Sequence, residues 1–422
     1  NKTRPFLVYL PTNAPHGPFL VADKYKQPYL DQGVTETMAA FYGMITNIDE
    51  NMGRLVAKLD ELKLTDNTIL IFTTDNGTAG GVHQGRGYDA GMRGKKGSEY
   101  DGGHRVPFLV RWPAGKLDAG RSVTRLTAHI DVLPTLVDLC RLQTPDVAFD
   151  GTSLRDLLYT DGRDWADRAL IVESQRVVNP VKWRKCAVMT DRWRLVNGTE
   201  LFDMAADPGQ RTDVADRHPE VVDRLRGEYE GFWSEVSPEH DLTSYMVVGS
   251  DASPVVALSS HDWLVERVPW NQPHIMRGDM AKPGRWAIEV ERGGPYEISL
   301  RRWPVEADAP INEGTYGKAL PFTRARLRVA GIDETREIPD GAHEVTFAMH
   351  LEPGVADLAP LFLGDDIEAT PYYVYITHQI RPGWQTPPGM GVPVYDPSYG
   401  RGPPQPMAQD ARKKRKAASA GS

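Results

Sequence analysis

Three stretches of this 422-residue chain combine hard oxygen donors with positive charge, the pairing needed to hold an anionic ester beside a divalent cation. The first is Thr74-Asp75-Asn76-Gly77, directly after the β-branched run 68–73. Asp75 offers a carboxylate and Asn76 an amide oxygen, ligands suited to Ca2+ or Mg2+ rather than to zinc. The same tripeptide is also a common turn, and two ligands do not complete a Ca2+ ion that takes about six to eight oxygens. The second is the glycine-rich stretch 77–103, which carries Lys95 and Lys96. A lysine there can bind an ester oxyanion and offset charge building on the leaving oxygen, although paired loop lysines are also ordinary solvated surface. The third is His16, in Asn13-Ala14-Pro15-His16-Gly17-Pro18. It can donate a hydrogen bond to the ester or shuttle a proton, or serve only as a turn residue.

These residues need elements to carry them. Residues 6–10 form a continuous apolar run that reads as a strand covered on both faces. From 36 to 64 the apolar residues recur at spacings of three and four, which predicts one long amphipathic helix. Residues 68–73 read as the next strand, so strand, helix, strand predicts a right-handed crossover and a parallel sheet. Ligands of such sheets sit beyond the carboxyl ends of the strands, which gathers His16, Asp75 and Asn76 at one edge. A further strand is expected at 106–112, then a helix capped by Asp131 with Pro134 in its first turn. Short strands at 170–173, 186–190, 193–196 and 201–202 predict a small antiparallel sheet, closed by a helix over 219–236.

Beyond 237 the texture changes. Residues 286–291 and 296–300 alternate apolar and polar around Gly293-Gly294, a hairpin signature. More strands are expected at 325–329, 343–348 and 372–377, with the makings of a β-sandwich. Past 381 the density of Pro and Gly predicts a disordered tail. The expected division is therefore 1–236, 237–385 and 386–422.

Composition bounds the function. Hydrophobic residues at 40% and charged residues at 25% describe an ordinary soluble globular protein of two or three domains. A net charge of −8 gives no electrostatic case for nucleic acid. The basic run 412–416 lies in the tail and reads as a solubilising end. Two cysteines are too few for a disulfide framework, and Cys140 reads as a buried thiol on a helix face. No apolar stretch approaches the ~20 residues of a membrane span. The chain opens at Asn1 and enters a strand-like run at once, which reads as a piece of a longer protein.

In their order, these stretches resemble type I sulfatases, the sulfate-ester hydrolases of the alkaline phosphatase superfamily. The likeness runs from about 4 to 233 and is most specific between Asp75 and Pro107, through Thr73-Thr74-Asp75-Asn76-Gly77 and Lys96-Gly97-Ser98-Glu99-Tyr100-Asp101-Gly102-Gly103. Segments 128–136 and 201–208 are similar to structural segments of the family. The resemblance implies that Asp75 and Asn76 ligate Ca2+ (Mg2+ being the other option), that Lys96 binds the sulfate while Lys95 is its neighbour, and that His16 contacts the substrate. It implies an α/β fold: the C-terminal part of an alkaline-phosphatase-like parallel-sheet sandwich with a small antiparallel subdomain, followed by an all-β sandwich-like domain. The activity implied is hydrolysis of a sulfate ester, of a small molecule or glycan, through a formylglycine nucleophile. The chain departs from the family in having no Cys/Ser-x-Pro-x-Arg motif, N-terminal Asp-Asp pair or Lys-x-His segment. The expectation is that formylglycine belongs to a missing N-terminal part and that this chain alone is inactive.

Trp263, Trp270, Trp286 and Trp303 could supply sugar-stacking surfaces in the sandwich, or simply fill its core. A periplasmic or extracellular location is expected, and no feature of the sequence fixes an oligomeric state. Two other readings stay open: a phosphate or phosphonate esterase of the same superfamily, and a non-catalytic glycan-binding remnant.

Overall fold

The computed structural model describes residues 4–78, 85, 87–117, 120–175, 177, 179–265, 268–269, 272–278 and 283–379. The chain divides into two compact units, Asn1–Asp241 and Leu242–Ser422.

The first unit opens with helices α1 (Asp23–Leu30) and α2 (Glu36–Glu61). They pack where Gly43 lets α2 approach the α1 backbone: a Cβ there would lie 3.1 Å from Tyr25 C and Lys26 N. The Tyr29 and Thr46 hydroxyls (2.7 Å) and the Phe19–Phe41 ring pair close the contact. Only the first part of α2 is buried, through Met38, Ala39, Ala40, Gly43 and Met44. Strand β1 (Leu70–Thr73) follows, then the one-turn helix α3 (Asp101–His104) and strand β2 (Phe108–Arg111). Helices α4 (Val132–Cys140) and α5 (Arg155–Tyr159) come next. Ile71 and Val110 of the strands share an apolar crevice with Leu136, Leu139 and Leu158 of these helices.

Four short strands form an antiparallel sheet in the order β3 (Leu170–Glu173), β4 (Cys186–Met189), β5 (Trp193–Val196), β6 (Glu200–Asp203). Every residue of β4 and β5 is buried because both faces of the sheet are covered. Helix α6 (Pro219–Val236) sets Val222, Leu225 and Tyr229 against Cys186, Val188 and Leu195. On the other face Ala187, Val196 and Phe202 meet Tyr100, Leu126 and Ala128.

The α/β class with its small antiparallel sheet stands, but two details differ from expectation. Residues 6–10 form no strand; Leu7 and Tyr9 are 83% and 84% exposed. An apolar run becomes a strand only where a neighbour takes its backbone hydrogen bonds, and none of the described residues does so here. The expected parallel crossover is therefore not made, and β1 instead pairs antiparallel with β2, Leu70 opposite Arg111 and Thr73 opposite Phe108. Cys140 is exposed at the end of α4, not buried, whereas Cys186 is fully buried.

The second unit is a β-sandwich of strands β7 (Met246–Val248), β8 (Val255–Ser259), β9 (Trp286–Val290), β10 (Gly294–Arg301), β11 (Arg324–Val329), β12 (Ile332–Glu337), β13 (Val345–Leu351), β14 (Gly354–Leu363), β15 (Glu368–Ala369) and β16 (Tyr373–His378), with one short helix, α7 (Gln272–Arg277). One sheet runs β13-β10-β16-β8; the other runs β12-β11-β14-β9-β7, with β15 added to β14. Alternation along the strands turns Ile298, Leu300, Leu327, Phe347 and Ile376 into a shared core. The hairpin expected at 286–300 does not form. β9 and β10 are consecutive but belong to different sheets, β9 pairing with β14 and β10 with β13 and β16. Gly293-Gly294 thus carries the chain from one layer to the other. Trp263, Trp286 and Trp303 all lie in the core, which removes them as sugar-stacking surfaces; Trp270 lies outside the described residues, as does the run 412–416.

Candidate functional site

The end of β1 presents two oxygen donors with nothing to donate to them. The Asp75 carboxylate is exposed and makes no hydrogen bond or ion pair among the described residues. Asn76 Oδ1 is buried and has no hydrogen-bond partner among the described residues. A buried acceptor without a donor is costly unless an ion or water completes it. The turn itself is fixed from two sides. Thr74 Oγ1 donates to Asn76 O at 3.3 Å, and His129 Nε2 lies 2.9 Å from Thr74 O. His129 was not picked out from sequence, although it lies within the 128–136 segment.

Glycines bring this turn against the lysine loop. Gly77 N donates to Gly103 O at 3.0 Å, and a Cβ at Gly77 would lie 2.0 Å from Gly102 O. Backbone meets backbone here, so no other residue fits. One residue further on, Lys96 N donates to Thr78 O at 2.9 Å. Thr78 is three residues past Asp75, a reach of at most about 11 Å of extended chain. Asp75, Asn76 and the Lys96 backbone therefore share one rim.

The loop bearing Lys96 is clamped to the four-stranded sheet. Asp101, wholly buried, accepts from Arg194 Nε at 2.9 Å, and its own N–H donates to Gln210 Oε1 at 2.8 Å. The Arg93 guanidinium lies 3.8 Å from the Tyr100 ring centre, and the Tyr100 hydroxyl donates to Glu200. Burial, followed by that bond to Glu200, pushes the Tyr100 phenol up to about 12, so it stays a donor. Asn197 Nδ2 donates to Glu99 Oε1 at 3.2 Å. His104 is held below the usual histidine range by burial, which keeps a second positive charge away from Arg194. Apart from the Arg93–Tyr100 pair, these contacts were not legible in sequence, since their partners lie about a hundred residues away.

The segment holding His129 is fixed by Asp131. Its carboxylate accepts from Ala128 N (2.7 Å), Thr152 N (2.9 Å) and both Nη atoms of Arg168. Burial alone would raise its pKa, but the Arg168 fork and the two backbone donors outweigh that and hold it below the ordinary carboxylate value.

His16 stands apart in the described contacts. It is exposed, with Nδ1 2.8 Å from Gly17 O and its N–H donating to Asn13 O; no described contact joins it to Asp75 or Lys96. The rim thus gathers three of the four expected residues. Among the described residues no group of three or more His, Cys, Asp or Glu side chains converges as a metal site. What the rim offers a hard cation is the donor pair Asp75 and Asn76, and the orphaned Asn76 oxygen fits that use.

Residues 1–142 match the family model described as Sulfatase, and residues 95–230 match that described as N-sulphoglucosamine sulphohydrolase, C-terminal. The chain is 30% identical over 254 residues to the N-acetylgalactosamine-6-O-sulfatase of Bacteroides thetaiotaomicron, covering 53% of this chain and 46% of that protein. To the steryl-sulfatase of Mus musculus it is 29% identical over 268 residues, covering 53% and 41%. Among solved structures, Ps i-CgsB matches with a TM-score of 0.49 and 25% identity, over 57% of this chain and 52% of that one. The chain spans about half the length of the curated relatives it matches, or less.

Proposed function

Because the chain belongs to the type I sulfatase family through its first 230 residues, we propose that its rim is part of a sulfate-ester hydrolysing site and that Lys96 is the group that grips the sulfate. The observation that carries this reading is the pair of backbone bonds, Gly77 to Gly103 and Lys96 to Thr78, that set an ammonium-bearing loop beside two unsatisfied oxygen donors.

In this reading Asp75 and Asn76 hold a Ca2+ ion, Mg2+ being the alternative, and the ion supplies positive charge to the ester oxygens. Lys96 binds a further oxygen and offsets charge on the departing alkoxide. His16 donates a hydrogen bond to the ester or hands the leaving oxygen a proton. No Cys or Ser here is followed by Pro and Arg at the second and fourth places, so the chain has no residue to become formylglycine and no nucleophilic step is assigned to it. The name of the N-acetylgalactosamine-6-O-sulfatase supports a sulfated glycan as the substrate class, and an exported, periplasmic or extracellular setting suits such a substrate.

The test is calorimetry of Ca2+ and of a monosulfated sugar, N-acetylglucosamine 6-sulfate, against the chain, Asp75→Asn and Lys96→Gln. Asp75→Asn should abolish Ca2+ binding, and Lys96→Gln should weaken the monosulfate about tenfold or more while Ca2+ binding survives. The chain alone should turn over no sulfate ester. Equal monosulfate affinity in the wild type and Lys96→Gln refutes the assignment.

A further inference from the structure

Resting on the sulfate-ester reading above, we propose that Arg184 and Lys185 form a second anion subsite beside the Lys96 loop. The substrate is then a polyanionic glycan that carries another sulfate or carboxylate along its chain, not a lone sulfate ester. Both side chains are exposed, and neither makes a hydrogen bond or ion pair among the described residues. Lys182, in the same loop, differs: it is tied to Glu230. Two unpaired cations side by side leave positive charge that an anionic ligand can neutralise.

Their placement sets what they can reach. Lys185 directly precedes β4, whose first residue, Cys186, is bonded both ways to the β5–β6 turn. Asn197 N donates to Cys186 O at 2.9 Å, and Cys186 N to Asn197 Oδ1 at 3.2 Å. The Asn197 amide in turn donates to Glu99, three residues beyond Lys96. One asparagine thus joins the basic loop to the lysine loop.

The loop is also pre-set. Trp183 and Lys185 have φ of 62° and 49°, left-handed conformations that bulky residues rarely adopt. Trp183 is what holds them. Its ring stacks on Tyr229 at 3.9 Å, its N–H donates to Tyr229 Oη at 3.1 Å, and its indole N–H donates to Glu230 at 3.2 Å. A Cβ on Gly198 would lie 2.7 Å from the same ring, so that turn closes over it without a side chain. A loop already fixed by its aromatic loses little entropy when its cations meet a ligand.

The experiment compares two probes by calorimetry at two salt concentrations: N-acetylglucosamine 6-sulfate, and a heparin hexasaccharide with several sulfates. The variants are Arg184→Gln/Lys185→Gln, the charge-keeping Arg184→Lys/Lys185→Arg, and Lys96→Gln. The double glutamine variant should bind the hexasaccharide about tenfold more weakly with a shallower salt dependence, and the monosulfate within about twofold of wild type. The charge-keeping variant should restore the hexasaccharide, which separates lost charge from a misfolded loop. Hexasaccharide affinity and salt dependence unchanged by the glutamines overturn the subsite, as does a wild type that does not bind the hexasaccharide. If the hexasaccharide depends on Arg184 and Lys185 while Lys96→Gln alters neither probe, the subsite stands and the Lys96 assignment falls.

Discussion

At the scale of single residues, the chemistry rests on side chains that other side chains hold still. Asp131 is the clearest case, because the Arg168 fork and two backbone N–H groups keep its pKa below the ordinary value. A group whose folded pKa is depressed adds stability above its unfolded pKa, about 3.9, and loses it as pH falls through the folded value. Asp131→Asn should therefore cost about 3 kcal/mol at neutral pH. The gap between the urea midpoints of wild type and variant should narrow below about pH 4. A gap that stays constant down to pH 2.5 contradicts the account. Asp75, Asn76 and Lys96 stand out in the sequence as candidates because their types and order carry chemical meaning. Of the residues that fix them, Asp131 was read only as a helix cap, and Arg194, Gln210 and Asn197 were not read, because a contact to a residue about a hundred positions away has no local signature.

At the scale of elements, the lysine loop owes its position to a sheet far along the chain. Removing the Arg194 guanidinium leaves the buried Asp101 carboxylate with only the long contact to Arg105 at 3.9 Å, a loss of about 3 kcal/mol. Arg194→Met should free the loop locally, so brief trypsin treatment should cut after Lys95 or Lys96 faster than in wild type, read by mass spectrometry. Unchanged cutting there would show that the sheet does not position the loop. Periodicity found the elements whose burial is one-sided or complete: α6 has its expected bounds, and β3, β4 and β5 lie within a residue of theirs. It failed where pairing decides. The run 6–10 has strand-like residues but no partner, and 286–300 has hairpin-like alternation but strands that part into two sheets. Long-range partners set both outcomes, and a local window does not contain them.

At the scale of the molecule, each unit has its own core. Ile298→Ala, a full deletion inside the sandwich, should cost about 2–5 kcal/mol there and lower one calorimetric transition while leaving the other in place. A common shift of both transitions would show that the cores melt together. The sandwich also interleaves its layers: β7, β9, β11, β12, β14 and β15 build one sheet, and β8, β10, β13 and β16 the other. The last of these strands, β16, is an interior one, lying between β10 and β8. On the ribosome, β8 emerges more than a hundred residues before the neighbour that must receive its hydrogen bonds. Until Tyr373–His378 leaves the exit tunnel, that layer has a gap beside β8, and its unpaired strand edges stay open to pairing elsewhere.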